Sequence, residues 1–168
     1  NWYIYSLTGG VLAYARNWGW NATTPVPGDY DGDGLADFGA YYPAAGTWYL
    51  LLSRSHVVRQ HAWGWSEAQP VLGDYDGDNI ADLAVFHPAS GNWYIKTMLE
   101  EVVAYSLNWG FAGVVPVPGD YDNDRISDLA VYHPATGNWY IRTLDSRVLA
   151  WAVNWGFSGR MLPDSNAT

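Results

Sequence analysis

The chain repeats itself. "NWYIYS", "TWYLLL", "NWYIKT" and "NWYIRT" align Trp2, Trp48, Trp93 and Trp139, and "NWGW", "AWGW", "NWGF" and "NWGF" align Trp18, Trp63, Trp109 and Trp155. The acidic stretches "GDYDGDGLAD", "GDYDGDNIAD" and "GDYDNDRISD" recur in step, 45 residues from Asp29 to Asp74 and 46 from Asp74 to Asp120. A unit of that size cannot bury its own faces, so it must stack on its neighbours and share one continuous core with them. The repeat covers essentially the whole chain and leaves no room for a second domain.

The pattern within a unit is β. "DLAVFHP" and "DLAVYHP" are short apolar runs stopped by proline, and "NWYIKT" follows the Gly-containing turn "PASG". "VVAYSLNWG" ends at glycine, and "PVPGDY" or "PVLGDY" supplies one more short strand whose prolines suit an edge. Nothing shows a long apolar pattern at the helical period. Four short strands per unit and a period in the mid-forties predict all-β, β-propeller-type blades of antiparallel strands. The expected division is a half blade over residues 1–20, blades over 21–65, 66–111 and 112–157, each with an acidic loop, and a tail over 158–168.

The acidity is focused. The net charge is -9, and of the acidic residues only Asp145, Asp164 and three glutamates lie outside the three loops. With one lysine and an acidic balance, the chain is a poor partner for a phosphate backbone, and no nucleic acid is expected. No apolar run approaches the ~20 residues of a membrane span. The absence of cysteine excludes disulfides, thiolate zinc sites and cysteine nucleophiles. A start at Asn1, without Met or a signal-peptide pattern, is what a processed or excised segment would show.

Like charges placed this close repel, and a hard dication removes the conflict. In the first loop Asp29, Asp31 and Asp33 occupy positions 1, 3 and 5, Gly34 position 6, Leu35 position 7 and Asp37 position 9. Alternate carboxylates converge when such a loop curls, the position-7 carbonyl adds a neutral oxygen, and the ninth residue closes the shell. Calcium takes about 6–8 oxygens, close to what the loop and water provide. Ordinary acidic turns also use Asp and Gly, but three copies in register, each with the ninth-position Asp, point to metal. An EF-hand is excluded by the strand that follows directly and by the missing Glu at position 12.

"GDYDGDGLADFGAYYP", "GDYDGDNIADLAVFHP" and "GDYDNDRISDLAVYHP" resemble FG-GAP/VCBS-type repeats, the calcium-loop blades of integrin α-subunit propellers and of bacterial surface proteins. The resemblance implies one Ca2+ per blade, between the first two strands. Carried over residue by residue, it implies as ligands Asp29, Asp31, Asp33, Leu35 and Asp37; Asp74, Asp76, Asp78, Ile80 and Asp82; and Asp120, Asp122, Asp124, Ile126 and Asp128, with Leu35, Ile80 and Ile126 acting through their carbonyls. The bend position carries Asn79 in the second loop and Arg125 in the third. Asparagine tolerates a left-handed backbone. Arginine meets a Cβ penalty there and brings a positive charge, so the third of the three sites is expected to be the weakest.

Trp18, Trp63, Trp109 and Trp155 are expected in the core between blades. Trp20 and Trp65, which replace the phenylalanine of Phe111 and Phe157, are candidates for stacking on sugar rings. Every close carboxylate pair belongs to an acidic loop, His87 and His133 read as polar strand ends, His56 and His61 have no metal or triad spacing, and no nucleophile elbow occurs. The expectation is therefore no enzyme. "NAT" at Asn21 and at Asn166 gives two candidate glycosylation sites.

The sequence thus predicts a non-enzymatic, calcium-binding module at the cell surface or outside the cell, for adhesion or self-assembly with a protein partner or copies of itself. The alternative is a lectin-like propeller that binds glycans through aromatics. The N-terminal half blade has an unpaired edge. The tail could close a small ring in cis, two chains could share blades, or the tail of one subunit could complete the half blade of the next. Completion by another chain or by further sequence is favoured, because the tail offers one strand where two are needed.

Overall fold

A computed structural model describes residues 1–156. It is all-β, with one short 3-10 turn at Pro43–Ala45. β1 (Trp2–Ser6) and β2 (Gly10–Arg16) form an antiparallel hairpin. β3 (Thr24–Pro25), β4 (Phe38–Tyr42), β5 (Thr47–Leu51) and β6 (Val58–Ala62) form a first four-stranded sheet in sequence order. β7 (Gln69–Val71), β8 (Leu83–His87), β9 (Asn92–Lys96) and β10 (Val102–Asn108) form a second, and β11 (Val115–Pro116), β12 (Leu129–His133), β13 (Asn138–Arg142) and β14 (Val148–Asn154) a third. All pairs are antiparallel. The unit of four short strands is therefore present three times. The expected tail over 158–168 lies outside the described residues, as do Phe157 and Asn166. Among the described residues no helix is long and apolar enough to cross a membrane.

The strands follow from local chemistry. Leu83, Ala84, Val85 and Phe86 are all fully buried, because β8 lies mid-sheet and both faces of that sheet are covered. Leu83 and Val85 pack with Tyr41, Trp48 and Leu50 of the first sheet, while Ala84 and Phe86 pack with Leu129 and Val131 of the third. Alternate residues of one strand thus serve two cores. The opening strands begin one residue earlier than the "PVPGDY" reading, at Thr24 and Val115, so each proline sits at the inner end of a two-residue edge strand.

The 45- and 46-residue steps also have a structural cause. β9–β10 and β13–β14 each contain two register shifts, and a left-handed residue sits in each hairpin at Ser106 (φ 58) and Ala152 (φ 53). β5–β6 pairs without a shift and turns through a longer loop, which shortens that unit by one residue overall. Bulges of this kind strengthen strand twist.

Paired indoles join the sheets. Within each unit one Trp bonds the backbone of another: Trp2 to the Trp18 carbonyl (2.9 Å), Trp48 to Trp63 (2.8 Å), Trp93 to Trp109 (2.7 Å) and Trp139 to Trp155 (2.6 Å). The second Trp of each pair then reaches forward, Trp18 to the Tyr49 carbonyl, Trp63 to Tyr94 and Trp109 to Tyr140, each at 3.2 Å. Every buried indole N–H in these junctions has a partner, as burial of a polar group requires. Trp155 corrects the core expectation: Trp109 is buried and Trp18 and Trp63 half-buried, but Trp155 is 76% exposed.

At the junction of the first two sheets, Lys96 is almost buried and lies over the Trp63 ring at 5.1 Å. It pairs with Glu100, which also takes Nδ1 of His61 at 2.8 Å. Lys96, and then His61, hold the Glu100 carboxyl below its ordinary range.

Candidate metal centre

The acidic loops lie where each unit passes from its first strand to its second: residues 29–37 between β3 and β4, 74–82 between β7 and β8, and 120–128 between β11 and β12. The carboxylates shape the loops themselves. Asp29 accepts from the amides of Gly32 (2.8 Å) and Gly34 (2.7 Å), and Asp33 from that of Leu35 (2.9 Å). Asp74 takes Gly77 (2.7 Å) and Asn79 (2.8 Å), and Asp78 takes Ile80 (2.8 Å). Asp120 takes Asp124 (3.1 Å) and Arg125 (2.9 Å), and Asp124 takes Ile126 (2.8 Å). Side-chain acceptors that bond amides a few residues on curl a chain tightly.

The curl needs two left-handed residues per loop. Position 6 has them at Gly34 (φ 82), Asn79 (φ 68) and Arg125 (φ 74), as the bend there requires. Position 4 has them too, at Gly32 (φ 76), Gly77 (φ 82) and Asn123 (φ 65). The sequence reading passed over position 4, although Gly, Gly and Asn in register carried the same signal.

Three groups of carboxylates result. Asp29, Asp31 and Asp33 form one, Asp74, Asp76 and Asp78 a second, and Asp120, Asp122 and Asp128 a third, with ligand oxygens within 4.8 Å of one another in each. Each is a set of hard oxygen donors that could hold a metal ion. Asp124, expected as a ligand, is not in the third group, whereas Asp128, expected at the ninth position, is.

Asp37 and Asp82, also expected as ligands, are not in the first and second groups, and all three ninth-position residues brace their loops. Asp37 is buried and accepts from the amides of Tyr30 (2.9 Å) and Ser53 (2.7 Å), tying the loop to the β5–β6 turn. Asp82 accepts from Tyr75 (2.7 Å) and Asp128 from Tyr121 (2.8 Å). Burial pushes all three carboxyls upward, with the other loop carboxylates adding to it. Asp82 reaches about 7. Burial also raises Asp76.

The position-7 side chains have a role that the motif does not suggest. Ile80 lies over Gly32 of the preceding loop and Ile126 over Gly77, close enough that a Cβ added at either glycine would meet them at 3.1 and 3.2 Å. The Asp29 carbonyl accepts from Ala81 (2.7 Å) and the Asp74 carbonyl from Ser127 (2.6 Å). The three loops therefore form one hydrogen-bonded row. Two arginines also reach it: Arg54 pairs with Asp33 at 3.1 Å, and Arg147 pairs with Asp122. Both come from turns far along the chain, which no loop motif records.

Trp20 is 48% exposed and Trp65 half-buried. The Trp20 ring packs on Tyr42 (5.3 Å) and Tyr49 (5.0 Å), and Trp65 on His87 (5.5 Å) and Tyr94 (4.8 Å). Phe111 makes the same contacts with His133 and Tyr140. His87 and His133 bond Ser90 and Thr136 at 2.7 and 2.9 Å. Asn21 is exposed in the turn before β3.

No protein-family model, curated protein or solved structure matches the chain.

Proposed function

We propose that the chain is a run of calcium-stabilised, propeller-type blades that serves as an adhesion or self-assembly module outside the cell. The observation that carries this reading is the row of acidic loops. Three carboxylate groups in register are linked loop to loop by Ala81–Asp29 and Ser127–Asp74 backbone bonds. A dication in each group offsets the repulsion of its carboxylates and stiffens the sheet junction beside it. Calcium suits the all-oxygen set, and millimolar extracellular calcium fills modest sites. The second loop, which no arginine pairs with among the described residues, is the tightest site. The third is the weakest, because Arg147 holds Asp122 and Arg125 stands at the bend.

The test is thermal melting of the calcium-loaded chain with and without EDTA. A ligand at a hundred times its Kd stabilises by about 2.7 kcal/mol per site, so chelation should lower Tm by many degrees. Asp76→Ala should remove one site by calorimetric titration, and Asp122→Ala should matter least. An unchanged Tm after chelation would end the calcium reading.

One observation favours a second reading, carbohydrate binding. A groove of about 590 Å3 is lined by Trp2, Trp18, Trp20, Asn17 and Asn21, which combines ring faces with amides. A glycan array separates the two readings. Binding lost in Trp20→Ala, with Tm unchanged, would establish the lectin.

A further inference from the structure

We propose that the pocket between the second and third sheets binds a sugar ring that carries a carboxylate, held by Arg142. The pocket lies apart from the acidic loops and from the groove at Trp20, so neither reading above is needed for it.

Two sheet junctions carry the same aromatic walls. Trp63, Trp65, Tyr94 and Tyr105 line a pocket of about 290 Å3 between the first and second sheets. Trp109, Phe111, Tyr140 and Trp151 line one of about 270 Å3 between the second and third. At each junction the last residue of "NWYIK" or "NWYIR" lays a cation over an indole, Lys96 over Trp63 at 5.1 Å and Arg142 over Trp109 at 5.7 Å.

The two cations are not matched alike. Lys96 ends on Glu100, four residues on, and on the Ala62 carbonyl at 3.4 Å. The same turn carries Ser146 in the third sheet. Glu100 (φ 69) and Ser146 (φ 84) are both left-handed, and their amides donate to the carbonyls of Thr97 (3.0 Å) and Thr143 (3.1 Å). Arg142 therefore meets a hydroxyl, at 2.6 Å, where Lys96 meets a carboxylate. Among the described residues no carboxylate pairs with Arg142, and its Nε is buried without a partner. A half-buried guanidinium that is short of acceptors favours an anion. Arg142 also lines the pocket at its junction, where Lys96 does not line its own.

The walls select what carries the anion. Aromatic rings with a few placed polar groups suit a compact ligand, and the volume suits one sugar ring. Asn108 supplies a polar edge: its Nδ2 donates to the Ser90 carbonyl (2.9 Å) and to Asn92 (2.8 Å), which leaves its Oδ1 to accept from a ligand hydroxyl. An ammonium ligand, which aromatic boxes also take, is repelled by Arg142. A planar carboxylate matches the guanidinium fork.

NMR titration of the calcium-loaded chain with glucuronate, and with glucose as the neutral control, tests this. Glucuronate should shift the indole N–H resonances of Trp109 and Trp151 saturably. Glucose should bind about tenfold more weakly or worse, as loss of a charged hydrogen bond implies. Ser146→Glu gives Arg142 the carboxylate that Glu100 gives Lys96, and should weaken glucuronate binding by about tenfold or more. If Ser146→Glu does not fold, Arg142→Gln replaces it and should bind the two sugars equally. Benzoate tests the carrier and should bind more weakly than glucuronate. The proposal is overturned by unmoved Trp109 and Trp151 resonances, by equal affinity for glucose and glucuronate in the wild type, or by benzoate binding as tightly as glucuronate. Unchanged glucuronate binding in folded Ser146→Glu, or an Arg142→Gln chain that still prefers glucuronate, would overturn it too. Shifts confined to Trp18 and Trp20 would also overturn it while supporting the groove there, and melting with EDTA reads the metal separately.

Discussion

Among the described residues the second sheet has a neighbour on each face, whereas the third has a sheet on one face only. The two are built from nearly the same sequence: "DLAVFHP" against "DLAVYHP" and "NWYIKT" against "NWYIRT". Their environments differ all the same. Trp93 is fully buried and Trp139 half-buried, Tyr75 is 2% and Tyr121 43% exposed, and Trp109 is buried where Trp155 is open. Burial here belongs to the junction between two units, not to the motif that enters it. A repeat contributes half of each interface, and its residues gain stability only when the adjoining unit is in place.

The largest effect should come from the tryptophans. Trp93→Ala and Trp109→Ala should each cost ~3–5 kcal/mol, as large buried aromatics do. In dilute protein Trp155→Ala should stay within ~0.5 kcal/mol, as exposed positions do. Urea unfolding measures all three, and equal losses at Trp109 and Trp155 would break the comparison.

The acidic loops should separate the two sheets through pH. Burial raises Asp82 from its ordinary 3.8 to about 7 in the folded chain, so the folded state holds that proton more tightly than the unfolded state. The resulting stability is fully present below pH 3.8 and is lost as pH rises through about 7. Melting of EDTA-treated protein should therefore show Tm falling over that window. Asp82→Asn should flatten the slope most, and Asp128→Asn, in the less enclosed third loop, should flatten it less. With calcium present the slope should weaken or reverse, since the ion displaces the proton.

The tyrosines of "GDYD" should differ more finely. Tyr30 and Tyr121 donate their hydroxyls to the carbonyls of Val26 (2.9 Å) and Val117 (2.7 Å). The Tyr75 hydroxyl is buried without a partner. Tyr30→Phe should cost about 1 kcal/mol, while Tyr75→Phe should be neutral or stabilising by up to about 1 kcal/mol, because it removes an unsatisfied buried group. Chemical denaturation reads both, and a loss at Tyr75 equal to that at Tyr30 would mean that its hydroxyl is satisfied in solution.

The smallest effect should come from the bend residues. Arg125 holds φ 74 where the second loop places Asn79 at φ 68. Arg125→Gly should stabilise the metal-free chain by roughly 0.5–1 kcal/mol, and Asn79→Gly by less, because a left-handed backbone costs a Cβ-bearing residue more than glycine. A loss at Arg125→Gly would show that the guanidinium makes a contact worth more than the strain.

Much of this molecule was legible before its structure. The four-strand unit, the three copies, the loop positions and the left-handed bend all follow from local chemistry repeated in register: proline stops, glycine turns, and carboxylates that bond nearby amides. That Asp124 stands outside the third carboxylate group was not legible. Its bond to the Ile126 amide does not account for this, since Asp33 and Asp78 make the same bond to Leu35 and Ile80 and remain in their groups. Arg54 and Arg147 were not legible either, because each arrives on its acidic loop from a turn 21 or 25 residues away along the chain.

By itself, the sequence determined what is local and repeated: strand, turn, acidic loop and the spacing of the tryptophans. Hydrogen bonds within a few residues and the alternation of side chains across a strand need nothing distant to act. Only the tertiary structure decided which face of each unit is covered. It set Trp109 in a core and left Trp155 open, laid Ile80 and Ile126 over the glycines of the preceding loops, and joined three acidic turns into one row. The physical reason is that burial and inter-sheet hydrogen bonds are properties of pairs of surfaces, and near-identical motifs differ with the surface each one meets.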